Sequence, residues 1–369
     1  MNDSIDAGFM AEALRLAERG LYTTHPNPRV GSVIVKDDKV VGRGFHLLAG
    51  HGHAEANALA EARDAARGAT VYCTLEPCSF HGRTPSCANA LIEAGVARVV
   101  VAMEDPDPRN AGKGLAMLRD AGIEVVCPFM SQSAHDLNPG HVKRYREGLP
   151  FVRVKLAMTF DGKTALANGE SRWITGSSAR RDVQKLRARS SAIVTGVQTV
   201  EDDDPAMTVR ADELDAEHAG LSASVARSVV ILDPRLRVSR HARLLANPDT
   251  IVACLADSVD EEFAGNCVVL PGDRAGGIDL NALLRHLAGM ACNEVLFECG
   301  ATLAGAVISA GLADELVLYV APSVLGSDAR SLLKLPKVDS MADRIDFGIR
   351  DVRHIGNDMR VTLVPVSGK

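Results

Sequence analysis

Two α/β units in tandem are the architecture this sequence predicts. Its 369 residues exceed what one ordinary hydrophobic core holds, and helical and strand periods alternate along both halves. A polar stretch with Pro and Gly, LNPGHVKRYREGLP (137–150), separates the halves and reads as their connection. The boundaries expected are 1–148 and 149–369.

The elements follow in order. Residues 7–20 form an amphipathic helix, and VGSVIV (30–35) is a β-branched strand. HAEANALAEARDAA (53–66) is Ala-rich, with apolar Ala56, Leu59 and Ala60 at helical spacing. ATVYCTLEP (69–77) is a strand ending at Pro77, and CANALIEAG (87–95) is a helix closed by Gly95. Strand 97–104, helix 113–122 and strand 123–127 complete the first unit. In the second, strands fall at 151–158, 191–197, 227–232, 250–254, 266–270, 294–298 and 315–321, with helices between several of them. The last segment, IRDVRHIGNDMRVTLVPV, reads as two strands joined by a turn at Gly356, Asn357 and Asp358.

Composition excludes several classes. Hydrophobic residues make up 46%, which implies a packed protein rather than disorder. The net charge of −6 lacks the basic excess of a nucleic-acid binder. No apolar run approaches the roughly 18 residues that a membrane helix needs, and the N-terminus lacks the basic and apolar regions of a secretory signal. Eight cysteines in a chain of this length suggest reduced thiols, and clustered ones then suggest metal or catalysis. A cytoplasmic protein is expected, with no nucleic-acid or membrane partner.

One cluster stands out. GHGHAEANAL (50–59) and TLEPCSFHGRTPSC (74–87) bring together His53, Glu55, Cys78 and Cys87. Catalytic zinc takes three protein ligands and keeps one position open, and an imidazole with two thiolates can supply the three. Glu55, two residues beyond His53, can enter the same cavity without ligating and relay protons. The order matches the H-x-E…P-C…C signature of zinc deaminases, except that the second cysteine lies nine positions after the first rather than three. His51 and His81 lie close enough to be alternative ligands. Cys73, Cys127, Cys254, Cys267 and Cys292 lack such company and read as core residues.

HPNPRVGSVIV, GFHLLAGHGHAE and TLEPCSFHGRTPSCANALI resemble the deaminase half of the bifunctional riboflavin-biosynthesis deaminase/reductases, whose long inter-cysteine loop is the discriminating feature. VKLAMTFDGKTAL, GESRWITG, ARRDVQKLRA and EDDDPAMTVR resemble the reductase half. The resemblance implies a cytidine-deaminase-like α/β/α layered domain followed by a dihydrofolate-reductase-like α/β domain. It implies two reactions: hydrolytic deamination of 2,5-diamino-6-(5-phosphoribosylamino)pyrimidin-4(3H)-one, then NADPH-dependent reduction of the ribosyl chain to give 5-amino-6-(5-phosphoribitylamino)uracil. A homo-oligomer is implied as well.

By the same resemblance, Glu55 is the proton shuttle and His53, Cys78 and Cys87 hold zinc. Asn27, His46, Arg83 and Asp105 contact the pyrimidine substrate, Arg83 as a phosphate partner. In the second half, Ser171, Arg187, Met207, Arg210 and Glu298 contact substrate. NADPH lies against Ala157, Trp173, Thr199, Asp203 and the turn Gly300, Ala301, Thr302, Leu303, Ala304, Gly305 and Ala306. From residues alone, that turn is a strand running into a helix start whose N–H groups suit a pyrophosphate, with no G-x-G-x-x-G fingerprint. Several positions depart from the family pattern. Phe80 and His81 stand where it has His-Tyr, Pro234 replaces a polar residue, and Cys299 replaces a small one. Asp107 stands where it has asparagine; an acceptor-only carboxylate cannot donate and repels phosphate, and Asn110 is the candidate to compensate.

Overall fold

The computed structural model describes residues 3–80, 86–256 and 266–366. The chain splits into two compact units, Met1–Gly148 and Leu149–Lys369.

The first unit runs α1 (Asp3–Glu18), β1 (Gly31–Lys36), β2 (Lys39–Phe45), α2 (Ala54–Ala62), β3 (Thr70–Cys73), α3 (Cys87–Ala94), β4 (Arg98–Val101), α4 (Lys113–Asp120), β5 (Glu124–Val126), α5 (Ser131–Leu137) and α6 (Pro139–Glu147). Its sheet has the order β2-β1-β3-β4-β5, with β3, β4 and β5 parallel and β1 antiparallel to both neighbours. Strand alternation sends Ile34, Val71, Val99 and Val101 to a core shared with Ala58, Leu91, Leu115 and Leu118. Val33, Val35, Tyr72 and Val100 face the opposite core, with Met10, Ala13 and Ala134. Helices therefore cover both faces, the α/β/α layering that the sequence predicts.

Two local elements go beyond the sequence reading. The connecting stretch 137–150, where the two units divide, is itself largely helical: Pro139 occupies the first turn of α6, where its missing N–H costs nothing, and Gly148 closes it at φ 71°. Strand β2 escapes the sequence reading because its glycines dilute the apolar pattern. They serve helix contact instead. A Cβ on Gly44 would lie 2.1 Å from the Ala54 carbonyl oxygen, and one on Gly42 2.3 Å from that of Ala58. The backbone of α2 thus rests directly on β2.

The second unit comprises β6 (Phe151–Thr159), β7 (Lys163–Ala165), α7 (Ser177–Arg189), β8 (Ala192–Gly196), α8 (Val197–Asp203), α9 (Ala219–Ser224), β9 (Ser228–Leu232), β10 (Thr250–Cys254), β11 (Cys267–Val269), α10 (Leu280–Gly289), β12 (Glu294–Glu298), α11 (Ala301–Ser309), β13 (Glu315–Ala321), β14 (Arg330–Ser331), β15 (Phe347–Ile355) and β16 (Asp358–Pro365). The nine-stranded sheet has the order β11-β10-β9-β8-β12-β6-β13-β16-β15 and is parallel except for β16, antiparallel to both β13 and β15. From β6 the chain moves outward through β8 to β11, then returns to place β12 between β8 and β6. Such a reversal opens a crevice at the carboxyl ends of the strands, where α/β sheets bind ligands.

Candidate active sites

In the first unit, two helix starts and the loop after β3 meet. His53 is the N-cap of α2, and Cys87 opens α3 behind its N-cap Ser86. The Ser86 hydroxyl donates to the Cys78 carbonyl (2.8 Å) and accepts from the Asn89 N–H (3.3 Å), which ties the two cysteine segments together. His53 Nδ1 lies 3.7 Å from Cys78 Sγ and 3.3 Å from Cys87 Sγ. The three donor atoms all lie within 4.8 Å of one another. A tetrahedral zinc with ordinary bond lengths separates such donors by roughly 3.6 Å, so this set fits the ion. The exposed His51 lies outside the cluster, and His81 lies outside the described residues.

Electrostatics point the same way. Hydrogen bonds from Cys87 and then His53 draw the Cys78 thiol down to about 4 against its burial. Helix N-termini favour thiolates by the same sign of field. Burial pushes the Glu55 carboxyl up to about 7, and the negative charge of Cys78 adds to it. A carboxyl poised there can both take and give a proton near neutral pH.

Beside the cluster, the His46 ring packs edge-to-face on His53 at 5.4 Å. Its Nδ1 donates to the Gly52 carbonyl (3.1 Å), so its Nε2 accepts from the Asn27 amide (3.0 Å). Burial lowers the His46 pKa to about 4 and keeps the ring neutral, as this arrangement requires. Glu76, of the EPC segment, is buried and does structural work. It accepts from the N–H groups of Asp105 (3.1 Å), Gly112 (3.0 Å) and Gly114 (2.9 Å), which seats the loop 105–112 against the metal segment.

In the second unit, a cavity of about 1840 Å³ opens at the carboxyl ends of β6, β8, β9 and β12. Sites for one drug-sized ligand run to about 1,000 Å³, so this cavity has room for two. Trp173, 70% exposed, lies on its wall with the Arg180 guanidinium 4.4 Å from its ring centroid. Arg187 forks onto Glu298 with bonds of 2.6 and 2.9 Å. Burial acts to raise the Glu298 carboxyl, but Arg187 and then Lys155 outweigh it and hold it below the ordinary carboxylate range.

Two family models match. The cytidine and deoxycytidylate deaminase zinc-binding region covers residues 3–103, and the RibD C-terminal domain covers residues 150–361. The riboflavin biosynthesis protein RibD of Escherichia coli is 47% identical over 97% of this chain and 99% of its own. That of Haemophilus influenzae is 44% identical over 98% of each. The chain belongs to the RibD family. It is a bifunctional deaminase/reductase of riboflavin biosynthesis, with a zinc-binding deaminase region followed by a reductase. Among solved structures, Acinetobacter baumannii RibD superimposes with a TM-score of 0.92 at 42% identity, over 99% of this chain and 100% of that one. A diaminohydroxyphosphoribosylaminopyrimidine deaminase/5-amino-6-(5-phosphoribosylamino)uracil reductase from Thermotoga maritima does so at 0.83 and 29%, over 99% of each.

Most residues that the sequence assigns to the RibD reductase site line the one cavity. Ala157, Ser171, Trp173, Thr199, Asp203, Met207, Arg210, Glu298, Gly300, Ala301, Thr302, Leu303 and Ala306 do so, together with Arg187. Ala304 and Gly305 do not. Helical periodicity turns Ala304 into the core, and a Cβ on Gly305 would lie 1.9 Å from the Lys334 carbonyl oxygen, so that glycine serves packing rather than a cofactor. At Gly300, the N-cap of α11, the nearest atom to an added Cβ is Thr199 Oγ1 at 3.9 Å, so its cavity side is open.

Lys155 carries no functional mark in the sequence. As a lone lysine in a strand it reads as solvated, yet it lines the cavity, and burial lowers its pKa against the pull of Glu298. In the deaminase half, Asn27, His46 and Asp105 surround the metal segment, while Arg83 lies outside the described residues. Asp105 is already occupied, accepting from the Asp107 N–H of its own loop and from His141 Nε2 of α6, each at 3.0 Å. Cys254 and Cys267 are not solitary core thiols: their sulfurs lie 2.8 Å apart on adjacent strands. Among the described residues, no helix is long and apolar enough to cross a membrane.

Proposed function

We propose that residues 1–148 hydrolyse the 2-amino group of 2,5-diamino-6-(5-phosphoribosylamino)pyrimidin-4(3H)-one and that residues 149–369 reduce the ribosyl chain of the product to ribityl with NADPH, giving 5-amino-6-(5-phosphoribitylamino)uracil. The observation that carries this reading is the convergence of His53, Cys78 and Cys87 beside a buried Glu55, in a chain whose second unit holds a cavity sized for a dinucleotide and a sugar phosphate.

Zinc held by the three donors supplies the Lewis acidity that makes water nucleophilic near neutral pH. Glu55 takes one proton from the attacking water at its carboxylate and gives it to the ring nitrogen, then carries the remaining hydroxyl proton to the departing amine as the C2–N bond breaks. Water adds its oxygen to C2 and ammonia leaves, so atoms balance. Asn27 presents its amide to the ring edge. Its nitrogen is fixed by His46, and its oxygen has no hydrogen bond among the described residues.

In the second unit, bound NADPH would be the hydride source for C1 of the sugar; the bond from C1 to the ring oxygen breaks, and that oxygen takes a proton from water. Trp173 and the start of α11 form the cofactor wall. Arg187 and Lys155 keep Glu298 ionised to accept from sugar hydroxyls, and Arg210 meets the phosphate. The protein chiefly holds the reacting carbons together. Cytoplasmic residence and a homo-oligomer complete the proposal. The oligomer is supported by β15, a nine-residue edge strand that exposes Ile349 and Val352; light scattering giving a mass of 39.1 kDa would refute it.

The test is to incubate protein with substrate, with and without NADPH, and to follow ammonia and cofactor separately. Ammonia release without NADPH, and cofactor oxidation only after deamination, are expected. Glu55→Gln should keep zinc and lose ammonia release; a mutant that deaminates at near-normal rate overturns the shuttle role.

A further inference from the structure

Asp107 poses a chemical problem in the deaminase site, since a bare carboxylate there would repel a phosphorylated substrate. Asn110 does not solve it. That residue is fully buried, and its amide pins the loop: Oδ1 accepts from the Ser79 N–H (2.9 Å), while Nδ2 faces Asp105 Oδ2 (3.4 Å) and the Pro77 carbonyl (3.5 Å).

Arg109 is placed differently. The Asp107 carboxylate, with its side chain only 5% exposed, accepts from Arg109 Nε (2.9 and 3.0 Å), Nη2 (2.5 Å) and the Arg109 backbone N–H (2.9 Å). Arg109 Nη2 also reaches the Tyr145 hydroxyl at 3.3 Å, and the guanidinium carbon lies 5.2 Å from the centroid of the Phe80 ring. Phe80 is two residues from the metal ligand Cys78. The guanidinium is therefore held on three sides, yet the side chain is 67% exposed and its Nη1 has no hydrogen-bond partner among the described residues.

With its guanidinium largely in solvent, such a pair is screened and contributes little stability by itself. What this arrangement provides is a cation whose rotamer is fixed in advance, with donors free beside a site whose ligand carries a phosphate. We infer that Arg109 is a phosphate-binding residue of the deaminase site, with Asp107 as its positioning partner. This rests on the phosphoribosyl pyrimidine being the substrate. The Asp107–Arg109 pair, neutral as a whole, thereby presents guanidinium donors in place of a bare carboxylate, and it sets preference for the phosphorylated substrate over its riboside.

The experiment compares deamination of the phosphoribosyl pyrimidine with that of its dephosphorylated riboside, in wild type, Arg109→Ala and Arg109→Lys, with zinc content and melting measured for each. Arg109→Ala should raise KM for the phosphorylated substrate by about tenfold, the usual scale for one charge-assisted contact, and leave KM for the riboside unmoved. Arg109→Lys should recover part of the loss, since it keeps the charge without the fork. Equal weakening of both substrates by Arg109→Ala, with zinc retained, would reduce Arg109 to a loop support and overturn the inference, as would an unchanged KM for the phosphorylated one. A wild-type protein that released ammonia from neither substrate would instead overturn the functional reading on which this one stands.

Discussion

Gly44→Ala tests how the metal centre is built. A methyl at Gly44 would lie 2.1 Å from the Ala54 carbonyl oxygen and 2.5 Å from the Ala58 nitrogen, both backbone atoms of α2. Neither can rotate away, so the helix must retreat by roughly 1 Å to restore ordinary contact. Helix α2 carries His53 at its N-cap and Glu55 in its first turn. A displacement of about 1 Å in a catalytic constellation costs on the order of 100-fold in rate, and overpacking adds about 1–3 kcal/mol of instability. The assay measures ammonia release, zinc content and melting, with cofactor oxidation on the deaminated pyrimidine as the internal reference. Deamination should fall about 100-fold while reduction is unchanged, because the reductase cavity is lined wholly by the second unit. Gly8→Ala is the control: nothing lies within 4 Å of its added methyl. A Gly44→Ala protein that deaminates normally with its zinc in place would refute the reasoning.

Other consequences follow from the two units. The buried Asp6 is clasped by Arg98 at 2.9 and 2.8 Å, and that bond, with one from Tyr72, lowers its pKa. Its stabilisation is present above the unfolded carboxyl's pKa and is lost as pH falls through the lower folded value. Melting curves from pH 7 to pH 2 should show this acid loss, and Asp6→Asn should flatten it while costing about 3 kcal/mol at pH 7. Arg187→Ala leaves Glu298 buried without its fork partner, so cofactor oxidation should be abolished and the second unit destabilised by about 3–5 kcal/mol, read by calorimetry. Arg210→Ala should weaken the sugar-phosphate substrate about tenfold and NADPH little in separate titrations; equal weakening would contradict its assignment to the phosphate.

The sequence made the metal centre legible because its chemistry is local: two short segments contain every donor, and their residue types leave few alternatives. The strands of the parallel core were legible because burial on both faces makes them continuous apolar runs. Strand β2 was not, since Gly42 and Gly44 trade side-chain signal for contact with α2. Helix α6 was hidden because its Pro and Gly mark its ends rather than break it. Lys155 stayed out of sight because a strand lysine carries no mark of burial until β12 and α7 bring Glu298 and Arg187 beside it. For the same reason the pairing of Cys254 with Cys267 could not be read, as it depends on β10 and β11 lying side by side. Ala304 and Gly305 were placed with the cofactor because a turn read as a continuous stretch ignores the helical rotation that sends them to the core and to Lys334.

The most direct test is elemental analysis of purified, active protein alongside Cys87→Ala. One zinc per chain is predicted for the wild type. The variant should lack zinc and ammonia release yet still oxidise NADPH on the deaminated pyrimidine. Metal-free protein that deaminates at full rate would contradict the account.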